Sequence, residues 1–104
     1  MIDYLPLGSI VLLKNGVQKV LVISRAINVR NGENEFFFDY GGVAYPEGLI
    51  GDQMVYFNAD KINKVVFKGY SDIDDENMVD TINDYLVAHP DIVRGDPENW
   101  VVEE

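Results

Sequence analysis

The chain has 104 residues, 47% of them hydrophobic, which is one domain's worth and enough for a modest core without metal or disulfide support. It has no Cys, and this excludes disulfides, thiol catalysis and thiolate metal sites together. The net charge of −10 is uneven: residues 1–70 hold seven acids and seven bases, whereas residues 71–104 hold eleven acids and one base, Arg94. A neutral body with an acidic end argues against nucleic acid, which needs a positive footprint, and suits a basic protein partner.

The opening Met1-Ile2-Asp3-Tyr4-Leu5-Pro6 has an acid where a signal peptide needs Lys or Arg, and Pro6 interrupts its apolar region. No apolar run approaches the roughly 18 residues of a membrane span. The expectation is a cytoplasmic protein without a cleavable export signal and without membrane contact.

Ser9–Lys14 reads as a short strand and Val17–Ala26 as a longer one. Asn15-Gly16 lies between them and favours a type I′ hairpin turn. The polar run Arg30–Asn34 should close a second hairpin into a third strand, Glu35–Tyr40. There Phe36, Phe38 and Tyr40 point one way, Phe37 and Asp39 the other. Tyr40–Leu49 then reads as a loop, since three Gly and one Pro stand in it. Turn chemistry does not account for Tyr40 and Tyr45, so this pair is expected to be exposed.

Met54–Asn58 gives a fourth strand, Ala59–Lys61 a turn, and Ile62–Tyr70 a fifth strand. Val20–Ile23 and Val65–Phe67 are apolar throughout, as in strands covered on both faces. The expectation is an α+β domain over residues 1–90: a small antiparallel, SH3-like β-barrel of about five strands with one C-terminal α-helix.

The helix is signalled by Ser71 with Asp74 as a capping box and by acids crowding its first turn. Met78, Val79, Ile82, Tyr85, Leu86 and His89 form the stripe expected to face the barrel, and Pro90 ends it. Residues 91–104 form an acidic tail, expected to pack back through Trp100.

Little here suggests a reaction. His89 suits the negative end of the helix dipole and has no evident orienting partner or nucleophile. A calcium loop starting at Asp72 would need Gly at its sixth position and Glu at its twelfth, where Asn77 and Asn83 stand. No catalytic, metal or cofactor site is expected. The outward helix face is more suggestive. Glu76, Asp80 and Asp84 stand at i, i+4 and i+8 with no Lys among them, so their repulsion goes unrelieved.

Three segments together are similar to a known family: Leu5-Pro6-Leu7-Gly8-Ser9-Ile10-Val11-Leu12-Leu13, Asp39-Tyr40-Gly41-Gly42-Val43-Ala44-Tyr45-Pro46-Glu47-Gly48, and Val65-Val66-Phe67-Lys68-Gly69-Tyr70. At this spacing they resemble the uncharacterised-domain family numbered 4176 of Gram-positive bacteria, over about residues 5–90. Members are typically encoded beside type VII secretion components and LXG-type toxins. The resemblance therefore implies a non-catalytic accessory protein, a chaperone or adaptor that binds a secreted toxin. In that role Tyr40, Tyr45, Pro46 and Leu49 would supply apolar contact, and Glu76, Asp80 and Asp84 would attract a basic segment. An immunity protein is the alternative within the binding class. A small hydrolase using carboxylates and a self-associating module are alternatives outside it.

Overall fold

The structure, a computed structural model, describes residues 2–95. Five strands form one antiparallel sheet: β1 (Ile10–Leu13), β2 (Lys19–Asn31), β3 (Asn34–Tyr45), β4 (Val55–Phe57) and β5 (Ile62–Phe67). One helix follows, α1 (Ile73–Ala88). The α+β class, the five strands and the single C-terminal helix agree with the sequence reading. The strand order is β4-β3-β2-β1-β5.

The sheet is open, with β4 and β5 at its edges, so the barrel is corrected to a curled sheet. Strands lie about 4.8 Å apart, which would separate the edges of a flat five-stranded sheet by about 19 Å. Only Asn58–Lys61 join β4 to β5, and Ala59–Lys61 form a 3-10 turn that rises about 2 Å per residue. So short a link cannot cross a flat sheet, and the edges must bend toward each other. No ladder joins them, because β4 ends after three residues.

The long β2–β3 hairpin turns at Gly32-Glu33, between the paired residues Asn31 and Asn34. Gly32 has φ 65°, as the first position of a type II′ turn requires. The β1–β2 connection is not the type I′ turn expected at Asn15-Gly16. Leu12 pairs with Lys19, six residues separate them, and only Asn15 of the two has positive φ.

The core contains Tyr4, Val11, Val20, Val22, Tyr40, Phe57 and Ile82. Helix α1 adds partly buried Val79 and Leu86. Its N-cap is Asp72 rather than Ser71: the Asp72 carboxylate accepts from the Asp75 N–H at 3.1 Å. Ser71 Oγ instead donates to the Asp75 carboxylate at 2.8 Å. The inward stripe also differs from expectation. Met78, Tyr85 and His89 are exposed, while Asn83 is buried. Asn83 clasps the Ile2 backbone, accepting from its N–H at 3.0 Å and donating to its C=O at 2.9 Å. That pair of hydrogen bonds rotates the helix toward Val79, Ile82, Asn83 and Leu86.

Pro90 follows the last helical turn, and His89 takes the C-cap. Its Nδ1 lies 2.8 Å from the Tyr85 carbonyl, and its ring stacks on the Tyr85 ring. Beyond Pro90, residues Val93–Gly95 return to the sheet and bridge β3 in parallel at Phe37. Trp100, expected to pack back, lies outside the described residues. Among those described, no helix is long and apolar enough to cross a membrane.

Candidate functional site

The pair Gly41-Gly42 decides the fate of Tyr40. A Cβ on Gly42 would lie 2.6 Å from Val20 Cγ1 and 2.7 Å from the Leu21 carbonyl oxygen. A Cβ on Gly41 would lie 2.9 Å from Ile27 Cδ1. The two glycines let β3 approach β2 where the register shifts at Ile23. Strand β3 therefore runs on through the first half of the segment read as a loop, to Tyr45. Tyr40 is 1% exposed, against the expectation of an exposed ring. It stacks on Phe57, meets Tyr4 edge-on, and its hydroxyl accepts from the Leu5 N–H at 2.9 Å. Burial raises its pKa. Tyr40 is a core residue, closed to any partner.

The chain turns outward only after Ala44. Tyr45 is 41% exposed, Leu49 57%, and Pro46 and Glu47 are exposed as well. The Tyr45–Pro46 bond is cis. Two bonds brace the tip: Gly48 N–H to the Ala44 carbonyl at 2.7 Å, and Gln18 Nε2 to the Tyr45 carbonyl at 2.5 Å. Beside the tip lies an open groove of 660 Å³ lined by Ala44, Ile50, Gln53, Met54, Val55 and Tyr56.

Glu76, Asp80 and Asp84 are all exposed on α1. Glu76 and Asp80 line a second groove of 480 Å³ with Asp3, Pro6, Lys68 and Ile73, and Asp84 is not among its lining residues. The structure thus brings Glu76 and Asp80 together. It does not bring them into one groove with Tyr45, Pro46 or Leu49. Asp75, one position before Glu76, turns inward instead and pairs with Arg25 at 2.6 Å inside the fold.

A buried polar cluster went unread in the sequence. Asp39 is 2% exposed and accepts from the Tyr4 hydroxyl at 2.8 Å, from the Ala59 N–H at 2.8 Å and from Arg94. Asn58 accepts from the Asp39 N–H at 3.0 Å and donates to the Gly95 carbonyl at 2.7 Å. The Arg94 guanidinium lies over the Phe37 ring, 5.0 Å from its centroid. Two clues marked it: one acid inside a strand apolar on both faces, and one base in the last third of the chain.

Electrostatics keep the Tyr4 proton and the Arg94 charge in place. Burial, reinforced by Asp39, raises the Tyr4 pKa far above its ordinary value, so the hydroxyl keeps its proton. Burial opposes the Arg94 charge, but its bond to Asp39 and that carboxylate's charge outweigh burial and raise its pKa. Among the described residues no buried side-chain polar atom lacks a partner. Such a group holds strands together. No three His, Cys, Asp or Glu side chains converge as metal ligands among the described residues.

The three segments that carry the family resemblance meet in space. Ser9 Oγ donates to the Pro6 carbonyl at 2.8 Å and accepts from the Gly69 N–H at 3.0 Å. The Leu5 N–H reaches the Tyr40 hydroxyl. Much of the first two segments is thus explained by packing, whereas Tyr45-Pro46-Glu47 and most of residues 65–70 face solvent. No curated protein and no solved structure matches the chain. Residues 4–78 match the family described as a domain of unknown function (DUF4176), and the chain belongs to that family.

Proposed function

We propose that this protein is a non-catalytic, cytoplasmic adaptor with chaperone-like character, binding a secreted toxin of a Gram-positive type VII secretion system. The observation that carries the reading is the exposed tip Tyr45-Pro46-Glu47, with Leu49 beside it. It stands out to solvent directly after the buried half of its own segment, Tyr40 to Val43, and exposed aromatic anchors suit protein contact. Tyr45, Pro46 and Leu49 supply apolar contact. Glu76, Asp80 and Asp84 attract a basic segment of the toxin, with no lysine or arginine paired to them among the described residues. Neither groove is lined by both the tip and the helix face, so the partner engages them as two separate contacts. Tyr40 takes no part.

The test is affinity capture from native cytosol at low and moderate salt, read by mass spectrometry. A salt-sensitive, one-to-one complex with a large secreted protein is the expected result. The Asp80→Lys/Asp84→Lys variant should weaken that complex by at least about tenfold, as loss of electrostatic complementarity predicts. Unchanged affinity would remove the acidic face from the reading, and a well-folded bait that recovers nothing would remove the adaptor role.

A further inference from the structure

We propose that the outer face of the sheet, where β5, β1 and β2 lie side by side, is a docking surface for an acidic amphipathic helix of a partner protein. The inference does not rest on the adaptor reading, which assigns a basic segment to α1.

The register tells the two faces of the sheet apart. Val11 pairs with Val20 and with Val65. Paired residues share a face, and Val11 and Val20 belong to the core, so this row points inward. Leu12, the next residue of β1, points outward. It pairs with Lys19 on one side and Lys64 on the other. Ile10 shares the outward side with Leu12 and pairs with Leu21 and Phe67. The outward face thus carries an apolar strip of Ile10, Leu12, Leu21 and Phe67, with a lysine on either side of Leu12. Phe67 is 58% exposed, and Ile10, Leu12 and Leu21 are half-buried. Tyr45 pairs with Lys19, so the face adjoins the exposed tip.

Charge says what fits there. All five lysines of the chain stand on or beside these three strands, and all are exposed: Lys14, Lys19, Lys61, Lys64 and Lys68. Residues 4–32 and 61–71 hold no Asp or Glu. Glu47 bonds Gln18, next to Lys19, but makes no ion pair with that lysine. The Lys14 N–H donates to the Lys61 carbonyl at 2.8 Å, which sets two of the five side by side. A chain of net charge −10 therefore gathers its unpaired cations around one apolar strip. Such a surface complements an apolar stripe flanked by carboxylates.

Geometry selects a helix. Strand β1 has a neighbour on both sides, and so does β2, so the face offers side chains rather than free main-chain groups. Lys19 and Lys64 stand two strand spacings apart, about 10 Å, which matches the diameter of an α-helix. A helix laid over β1 sets its apolar stripe on Ile10 and Leu12 and brings carboxylates on its two flanks to the two lysines. The net charge of −10 repels an extended anionic surface such as a lipid leaflet or a nucleic acid. A short helix meets mainly the lysines, since salt screens each charge beyond about 8 Å.

The test titrates nitrogen-15-labelled full-length protein with a short synthetic helix bearing a leucine stripe flanked by glutamates, and with the same peptide carrying lysine for glutamate. Saturable amide shifts at residues 10–14, 19–21 and 64–67 are expected with the glutamate peptide alone. The Lys19→Glu/Lys64→Glu variant changes two exposed lysines outside every ion pair, so it should keep its melting temperature. It should bind the glutamate peptide at least about tenfold more weakly, as reversed complementarity predicts. Equal binding of the two peptides, or unchanged affinity of a folded variant, would overturn the proposal. So would shifts confined to β5 with new protection of its amides, which mark strand addition. Binding to phosphatidylserine vesicles in preference to the peptide would overturn it in favour of a membrane surface. Toxin capture reads Asp80 and Asp84, and this titration reads Lys19 and Lys64, so either reading can fail alone.

Discussion

At the scale of single residues, the described positive charges divide by type. Each arginine meets a carboxylate: Arg25 with Asp75, Arg30 with Glu35, and Arg94 with Asp39. Among the described residues no lysine makes an ion pair. Guanidinium tolerates burial and forks onto carboxylates, whereas ammonium stays hydrated, so the interior pairs use Arg. Asp39→Asn removes the anion from a partly solvated pair and should cost about 2–4 kcal/mol in urea unfolding, since Arg94 keeps some access to water. Alkali tests the same cluster. Tyr4 and Tyr40 both have folded-state pKa values raised above the ordinary 10.0, so in alkali the unfolded chain releases these protons first. Stability should hold below about pH 10 and fall as pH rises beyond it. Tyr4→Phe should flatten that alkaline slope in a series of urea melts, and an unchanged slope would assign it to other groups.

At the scale of elements, the longest mismatch between sequence and structure is β3. Its first half was legible, because Phe36–Asp39 alternate like a strand. Its second half was not, because Gly-Gly signals a turn locally and a close strand crossing only when β2 is in place. Tyr40 was misplaced for that reason alone. Gly42→Ala tests this account: the added methyl meets Val20 Cγ1 and the Leu21 carbonyl, and the backbone atom cannot yield easily. A loss of about 1–3 kcal/mol is expected in denaturant melts, as for other overpacked cores. If Gly42 only served a flexible loop, the change would be neutral or stabilising. Helix α1 was legible from its acids, apolar stripe and Pro90. Its rotation was not, since no propensity marks Asn83 as the residue that clasps Ile2. Strand β5 is the sheet's other edge and leaves Val65, Val66 and Phe67 exposed. Lys64, the flanking Lys68 and two register shifts against β1 are the means by which native edges resist further pairing.

At the scale of the whole molecule, the domain extends further than residues 1–90 suggest. Composition marks 91–104 as an acidic tail set apart from the domain and expected to pack back through Trp100, and within it Val93–Gly95 completes β3 and neutralises Asp39. Sequence patterns find elements that repeat a period, and a three-residue return with one arginine has none. A chain ending at Pro90 should lose about 3–5 kcal/mol, because truncating one partner leaves a buried carboxylate uncompensated. Differential scanning of the two lengths checks this, and equal midpoints would restore the shorter boundary. The acidic helix face, by contrast, was legible at once, since exposed charge at helical spacing needs no tertiary information. That the face and the Tyr45 tip share neither groove was beyond the sequence, because it depends on how the sheet curls.

The bond between Arg94 and Asp39 spans 55 positions, and that between Asn83 and Ile2 spans 81. A ribosome makes the chain from its amino end, so the acid of the first pair emerges long before its cation, and the clasped backbone of the second long before its clasp. Until then the growing sheet would have to bury that carboxylate without its counter-ion and leave the Ile2 peptide groups to water. The nascent chain gains little by closing early. Closure of the sheet is therefore expected only once the helix and the residues behind it have been synthesised.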